Sequence, residues 1–348
     1  MEFISLAYKR CLISIDSSQL TQLNQLKLLN PTHNVLNSEE DCRRYWKHWR
    51  SRWQRCEDSI GDGTFAVRAI TRNVDSKKAQ ELKALGAEVV AADWEDVESL
   101  KKAFKGAWGV FGVTDFWSLF TTHKGNQADT QAHEEQHGRN LVDAAEAEGI
   151  QHFIWSTLPH IDPYTVYHFE SKVTVDSYLR SKKVPFSLIL TSFYYSNLVT
   201  YGMVRKDGDE FVLQLPIPPA AEIPSFDAHD TGSWVLAALK SEPTGKTFNA
   251  YGENITPIQF AAVLSRVSGK KVKLNEVSVE TFESKGFIDV IGHELWLNMR
   301  AFYDDLFIQD YQKSREQHPK AQTFEEFAKN DSALKHCWDT NSICHEML

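Results

Sequence analysis

The sequence predicts an α/β protein: a doubly wound parallel sheet followed by a smaller C-terminal α/β lobe. Three observations carry this. From residue 64 onward short apolar runs alternate with amphipathic stretches, as strands alternate with crossover helices. The runs are predominantly apolar, which parallel strands buried on both faces require. Gly86 and Gly149 stand just past two amphipathic stretches, where a helix wants a left-handed residue.

The elements follow in order. FAVRAIT (65–71) is read as a strand, SKKAQELKAL (76–85) as a helix, AEVVAAD (87–93) as a strand and VESLKKAFK (97–105) as a helix. GVFGVT (109–114) is the next strand, 128–149 a longer helix, and HFIWST (152–157) a strand. FESKVTVDSYLRSK (169–182) and FSLILT (186–191) complete the alternation as helix and strand. Beyond residue 192 the pattern loosens. Pro216, Pro218, Pro219 and Pro224 punctuate loops, Asp230 is placed to cap a helix over TGSWVLAALK, and further helices are expected near 257–268, 279–285 and 324–329. The expected division is an atypical segment 1–61, a dinucleotide-binding domain 62–191, and a substrate or partner lobe 192–348.

The first sixty residues do not fit the rest. A doubly wound sheet needs a central first strand and a tight glycine turn, yet no GxxGxxG or GxGxxG precedes Thr64. CLISI (11–15) with SSQLTQLNQLKLL (17–29) is the one strand and helix pattern available for that place. The first strand and its turn are therefore atypical, whether by true divergence or through a misassigned first exon.

Composition narrows the partners. A formal charge of -9 argues against general affinity for nucleic acid or anionic membrane. Five cysteines (Cys11, Cys42, Cys56, Cys337, Cys344) with no CxxC pair encode neither a disulfide framework nor a zinc ribbon. With no secretory signal and no run long enough to cross a bilayer, a cytoplasmic or nuclear protein is expected.

Arg72 ends the first strand of the alternation, where dinucleotide-binding sheets carry an acid for the ribose hydroxyls of NAD or a cation for the 2′-phosphate of NADP. Arginine pairs with a phosphate through its planar fork, so NADP is the expected cofactor. Asp93 and Thr114 end the next two strands and face the same crevice.

The segments DGTFAVRAITRN, LGAEVVAADWEDVESL, GVFGVTDFW, HFESK and FYYSNL resemble the NmrA-like family, atypical relatives of the short-chain dehydrogenases, over about residues 62–330. The resemblance implies a Rossmann-type NADP-binding fold. It assigns Arg72, Asn73 and Ser76 to the 2′-phosphate side and Asp93 and Trp94 to the adenine side. Thr114, Asp115 and Phe116 fall in the loop after the fourth strand, and Gln136 stands where the family can present a lysine. Lys172, Tyr194, Tyr195, Ser196 and Asn197 correspond to the nicotinamide end. The family's glycine-rich opening is missing, and without amides that approach the pyrophosphate closely, cofactor binding is expected to be weakened.

Short-chain dehydrogenases use a tyrosine four residues before a lysine, the lysine lowering the phenol's pKa for proton exchange with a carbonyl. Here that position is His168, with Tyr164 and Tyr167 nearby. His168, Lys172 and Ser156, in WSTLP, are the candidate catalytic residues. In the family the missing tyrosine goes with cofactor sensing, including control of transcription factors in fungi. The resemblance thus implies an NADP-linked regulator acting through protein contacts. The rival is an NADP-dependent oxidoreductase.

Two patterns stand apart. His133, Glu134 and His137 spell HEEQH, matching the HExxH zinc signature, but no third ligand is evident, so a solvated helix face and no metal are expected. In CRRYWKHWRSRWQRC (42–56), Trp46, Trp49 and Trp53 share a helical face ringed by six basic residues. This segment reads either as a basic amphipathic binding helix or as a tail packed on the sheet.

Overall fold

A computed structural model describes residues 9–14, by backbone alone, and residues 65–208, 210–307 and 310–340. Seven parallel strands make the main sheet: β1 (Lys9–Ser14), β2 (Phe65–Thr71), β3 (Glu88–Ala91), β4 (Gly109–Gly112), β5 (His152–Thr157), β6 (Phe186–Leu190) and β11 (Thr244–Asn249). Their spatial order is β3-β2-β1-β4-β5-β6-β11, which reverses direction at β1 as a doubly wound sheet does. The short run around CLISI thus supplies the central strand. It pairs Cys11 with Val67 on one side and with Gly109 on the other. The helix expected over 17–29 and the tryptophan-rich segment 42–56 lie outside the described residues.

Period-two alternation divides the strands between two cores. Val110, Phe153 and Trp155 pack with Leu141, Ala145, Val175 and Leu179 on one face. Phe111, Ile154 and Ile189 pack with Trp234, Val235 and Phe248 on the other. Each large apolar side chain so buried contributes about 1.5–3 kcal/mol. Arg68 interrupts this pattern but is 7% exposed. Its guanidinium donates to the carbonyls of Ala103 at 2.7 Å and Lys105 at 3.1 Å and pairs with Glu88 at 2.8 Å. It thereby satisfies carbonyls left open at a helix C-terminus.

Five helices connect the strands: α1 (Lys77–Ala84), α2 (Val97–Phe104), α3 (Phe116–Thr122), α4 (Gln127–Ala147) and α5 (Tyr167–Arg180). Gly86 and Gly149 take φ of 101° and 64° past α1 and α4, as their positions in the sequence require. Helix α3 is not among the expected elements. Asp115 starts it by accepting from the Ser118 amide at 3.4 Å, so the stretch read as a loop is a capped helix.

The chain after residue 191 contributes to both bodies. Strand β7 (Phe193–Tyr194), α6 (Asn197–Thr200), β8 (Val204–Asp207), β9 (Glu210–Leu213) and β10 (Ile223–Phe226) enter the lobe, while α7 (Thr231–Leu239) and β11 return to the main sheet. The lobe continues through β12 (Glu253–Ile255), α8 (Pro257–Ser268), β13 (Val272–Leu274), α9 (Val279–Glu283), α10 (Lys285–Ile291) and α11 (His293–Tyr303). Helix α12 (Tyr311–Gln317) returns to the main sheet, where the Gln317 side chain accepts from the Asn249 amide of β11 at 2.9 Å, and α13 (Phe324–Asn330) and α14 (Ser332–Thr340) close the lobe. Its core gathers Tyr195, Phe211, Phe260, Phe282, Phe324 and Trp338. Asp230 occupies the N-cap position of α7, but its carboxylate accepts from the Gln322 amide at 2.7 Å instead of capping. Cys337, buried in the lobe, is disulfide-bonded, which adds one bond to the reading of the cysteines. Among the described residues no helix is long and apolar enough to cross a membrane.

Helices α4 and α5 meet closely because Gly138 has no side chain. A Cβ there would stand 2.4 Å from Val175 Cγ2 and 3.1 Å from Val175 Cβ, and a β-branched side chain cannot swing clear. Gly138→Ala gains about 1 kcal/mol of helix propensity and loses about 1–3 kcal/mol to overpacking. Chemical denaturation should therefore show a net loss, recovered in part by adding Val175→Ala. Stabilisation by Gly138→Ala alone would contradict this packing.

Candidate functional site

The close crossing of α4 and α5 brings Glu134 against Lys172. Their side chains meet at 2.8 Å, with Glu134 fully buried and Lys172 12% exposed. Lys172 Nζ also donates to the Thr114 hydroxyl at 3.1 Å and the Thr114 carbonyl at 3.3 Å, and the Ser171 hydroxyl donates to Glu134. Burial opposes the Glu134 charge, but the Lys172 ammonium and the hydrogen bonds from Lys172, Ser171 and Thr114 outweigh it, so the carboxyl lies below the usual range. The helix face expected to be solvated is closed at Glu134 and at His137, which is 5% exposed.

One turn before Lys172, the start of α5 lacks a side-chain cap of its own. Glu294 on α11 supplies it, accepting from the amides of His168 at 2.9 Å and Tyr167 at 3.3 Å. The same carboxylate accepts from Gln127 at 3.1 Å and bonds His168 Nδ1 at 2.5 Å. His168 Nε2 lies 3.1 Å from Oδ1 of the Asn298 amide. The Asn298 amide nitrogen is otherwise buried without a partner, which favours the flipped orientation in which it donates to Nε2. Either orientation engages both ring nitrogens of His168.

Thr114, His168, Lys172 and Asn298 border a cavity of about 210 Å³ at the carboxyl ends of β4, β5 and β6, where the lobe meets the sheet. Of the sequence-predicted residues, it brings together Thr114, Asp115, Phe116, Ser156, His168, Lys172, Tyr194, Ser196 and Asn197. Phe302 and Phe307 complete its wall from the lobe. A second cavity of about 190 Å³ lies at the ends of β2 and β3 and is lined by Arg72, Asp93, Trp94 and, again, Asp115. The two hollows thus meet across Asp115.

Four predicted residues border neither cavity. Asn73 is exposed and its side-chain oxygen accepts from the Asp75 amide at 3.0 Å. The Ser76 hydroxyl caps α1 through the Ala79 amide at 3.2 Å. Gln136 is exposed and bonds Asn140 at 2.7 Å. Tyr195 is fully buried in the lobe, where its hydroxyl donates to Glu253 at 3.0 Å and burial raises its pKa. Tyr164, near His168 in sequence, donates to Asp304 at 2.6 Å. Sequence reasoning missed Glu294 and Asn298, which are more than 120 residues from His168 and carry no local signal. Glu134 was visible only as part of HEEQH, and nothing in that pattern points to Lys172 as its partner.

The pair carries a pH signature. Because the folded pKa of Glu134 is lowered, its contribution to stability is complete above the ordinary carboxylate value and is lost as pH falls through the lowered one. Lys172→Met strands a buried carboxylate and should cost about 3–5 kcal/mol at neutral pH. The deficit should shrink towards acid pH as Glu134 takes up a proton, and denaturation curves showing a deficit independent of pH would contradict the assignment.

The chain is similar in sequence and in fold to known proteins. The sequence profile of the NmrA-like family matches residues 58–328. An NmrA-like family domain-containing protein of Dictyostelium discoideum is 29% identical over 229 residues, covering 61% of this chain and 72% of its own. The NmrA-like family domain-containing oxidoreductase malD of Malbranchea aurantiaca is 28% identical over 267 residues, covering 71% of this chain and 76% of its own. Among solved structures, NmrA, a negative transcriptional regulator in complex with NADP, superposes with a TM-score of 0.70 at 18% identity, covering 97% of this chain and 99% of that one. With the profile spanning most of its length, the chain belongs to the NmrA-like family.

Proposed function

We propose that this protein is an NADP-linked redox-sensing or regulatory protein acting through protein contacts, with a transcription factor as the kind of partner. The observation that carries the reading is the state of His168. It stands where a proton-donating tyrosine would, yet Glu294 and the Asn298 amide engage both its ring nitrogens. Lys172, which would tune such a donor, is held instead by the buried Glu134. The site keeps surfaces for a dinucleotide, and the side chain four residues before Lys172 is not free to act as the acid beside them.

In this reading Arg72 takes the 2′-phosphate, Asp93 and Trp94 the adenosine, and Thr114 and Lys172 the nicotinamide end, with Asp115 between the two cavities. Affinity is reduced by the missing glycine turn, since helix-terminal amides supply much of pyrophosphate binding. The regulatory role is supported by relatives. The nitrogen metabolite repression protein of Neurospora crassa is 30% identical over 156 residues, covering 40% of this chain and 32% of its own. With a formal charge of -9 we propose neither direct nucleic-acid nor membrane binding.

A second reading, an NADP-dependent oxidoreductase, is favoured by the wall of the first cavity. Phe116, Trp117, Tyr194, Tyr201 and Phe302 would accept a flat apolar substrate such as a quinone or enone, which can take a hydride without an acid poised at its oxygen.

Isothermal titration and NADPH absorbance separate these readings. NADP should bind more tightly than NAD, and Arg72→Ala should weaken NADP about tenfold while leaving NAD unchanged, the loss of one charge-assisted contact. Equal losses for both nucleotides would remove the 2′-phosphate assignment. With quinone and enone acceptors NADPH should persist, whereas steady oxidation abolished by Lys172→Met would establish the enzyme instead.

A further inference from the structure

Outside the groups used above, HEEQH contributes two histidines to a cluster the sequence did not show. Glu95, from the loop after β3, places its carboxylate 3.1 Å from His133 Nε2 and 3.6 Å from His137 Nε2. One ligand atom from each of the three lies within 4.8 Å of the others. Tetrahedral zinc holds nitrogen and oxygen ligands at about 2.0–2.2 Å, which sets them about 3.3 Å apart. The two separations from Glu95 bracket that value.

We propose that Glu95, His133 and His137 bind a divalent transition ion of the zinc class. Three further observations support it. His137 is 5% exposed and neither of its ring nitrogens has a hydrogen-bond partner; ligation through Nε2, the nitrogen that faces Glu95, gives one of the two a partner. His133 Nδ1 lies 2.9 Å from His123 Nε2. Ligation of His133 through Nε2 leaves a proton on Nδ1 for that bond, the outer contact that ligating histidines need. His133 and His137 also border the 190 Å³ cavity with Arg72 and Asp93, so the ion has an entry path and an open position.

This is not the protease use of HExxH. Glu134, which would be the base, turns to Lys172 and Ser171, and the third ligand comes from 38 residues upstream. The site takes an ion through two imidazoles and one carboxylate, a donor set suited to zinc, cobalt or nickel. It goes beyond the dinucleotide reading and does not depend on it.

The test is a cobalt titration of the full chain, free of any histidine tag and stripped with chelator, followed by absorbance and checked by zinc analysis after dialysis. One ion per chain is expected, with ligand-field bands of a nitrogen and oxygen site and no thiolate charge transfer. Glu95→Gln and His133→Asn should each weaken binding at least tenfold, and His123→Ala by about 10–100-fold. His160→Asn, which alters a histidine paired to Glu170 and Asp162, should leave binding unchanged. Glu95 is 64% exposed at its side chain, so Glu95→Gln decides the matter even if a histidine variant fails to fold. Failure of the folded chain to bind, binding unaltered by Glu95→Gln, or a thiolate band would each overturn the site.

Discussion

The ion pair between Glu134 and Lys172 is the constraint on which the arrangement of the site depends. A carboxylate taken wholly out of water is costly unless a cation and hydrogen bonds replace its hydration, and Lys172, Ser171 and Thr114 are those replacements. The pair requires α4 and α5 to run close, and Gly138 against Val175 permits that approach. It also ties α5 to Thr114 at the end of β4, so the sheet, both helices and the cavity floor are fixed together. Glu294 does the corresponding work from the lobe by capping α5 and holding His168. One helix is thereby anchored from two sides.

That anchoring shapes the chemistry. In a working short-chain dehydrogenase the lysine tunes a phenol, whereas here its charge is already answered by a buried acid and the neighbouring histidine is bound at both nitrogens. What remains at the carboxyl ends of the strands is a pair of adjoining hollows sharing Asp115, one bordered by Arg72 and Asp93 and one by Lys172 and aromatic rings. In the function proposed above, that surface recognises a dinucleotide and transfers no proton beside it.

The fold is legible in the sequence where periodicity is local. The strands at 65–71 and 152–157 have the boundaries their apolar runs suggest, since buried parallel strands are short apolar runs and little else. The central strand is readable from CLISI only as the available candidate, because its place is set by pairing with Val67 and Gly109 far along the chain. Helix α3 escapes notice because its signal is a single aspartate before a run of aromatics. In the site, motif matching finds Lys172 and His168 but cannot find Glu294 or Asn298, whose role exists only once the lobe folds back. Glu95 is equally silent, being an exposed loop acid until α4 sets His133 and His137 beside it.

The most direct test of the account is a crystal structure of the chain with NADP. The account predicts the 2′-phosphate against Arg72, the nicotinamide beside Thr114 and Lys172, and the Glu134–Lys172 and His168–Glu294 contacts unchanged. A dinucleotide lying elsewhere, or one that binds only after His168 leaves Glu294 and turns towards the nicotinamide, would contradict it.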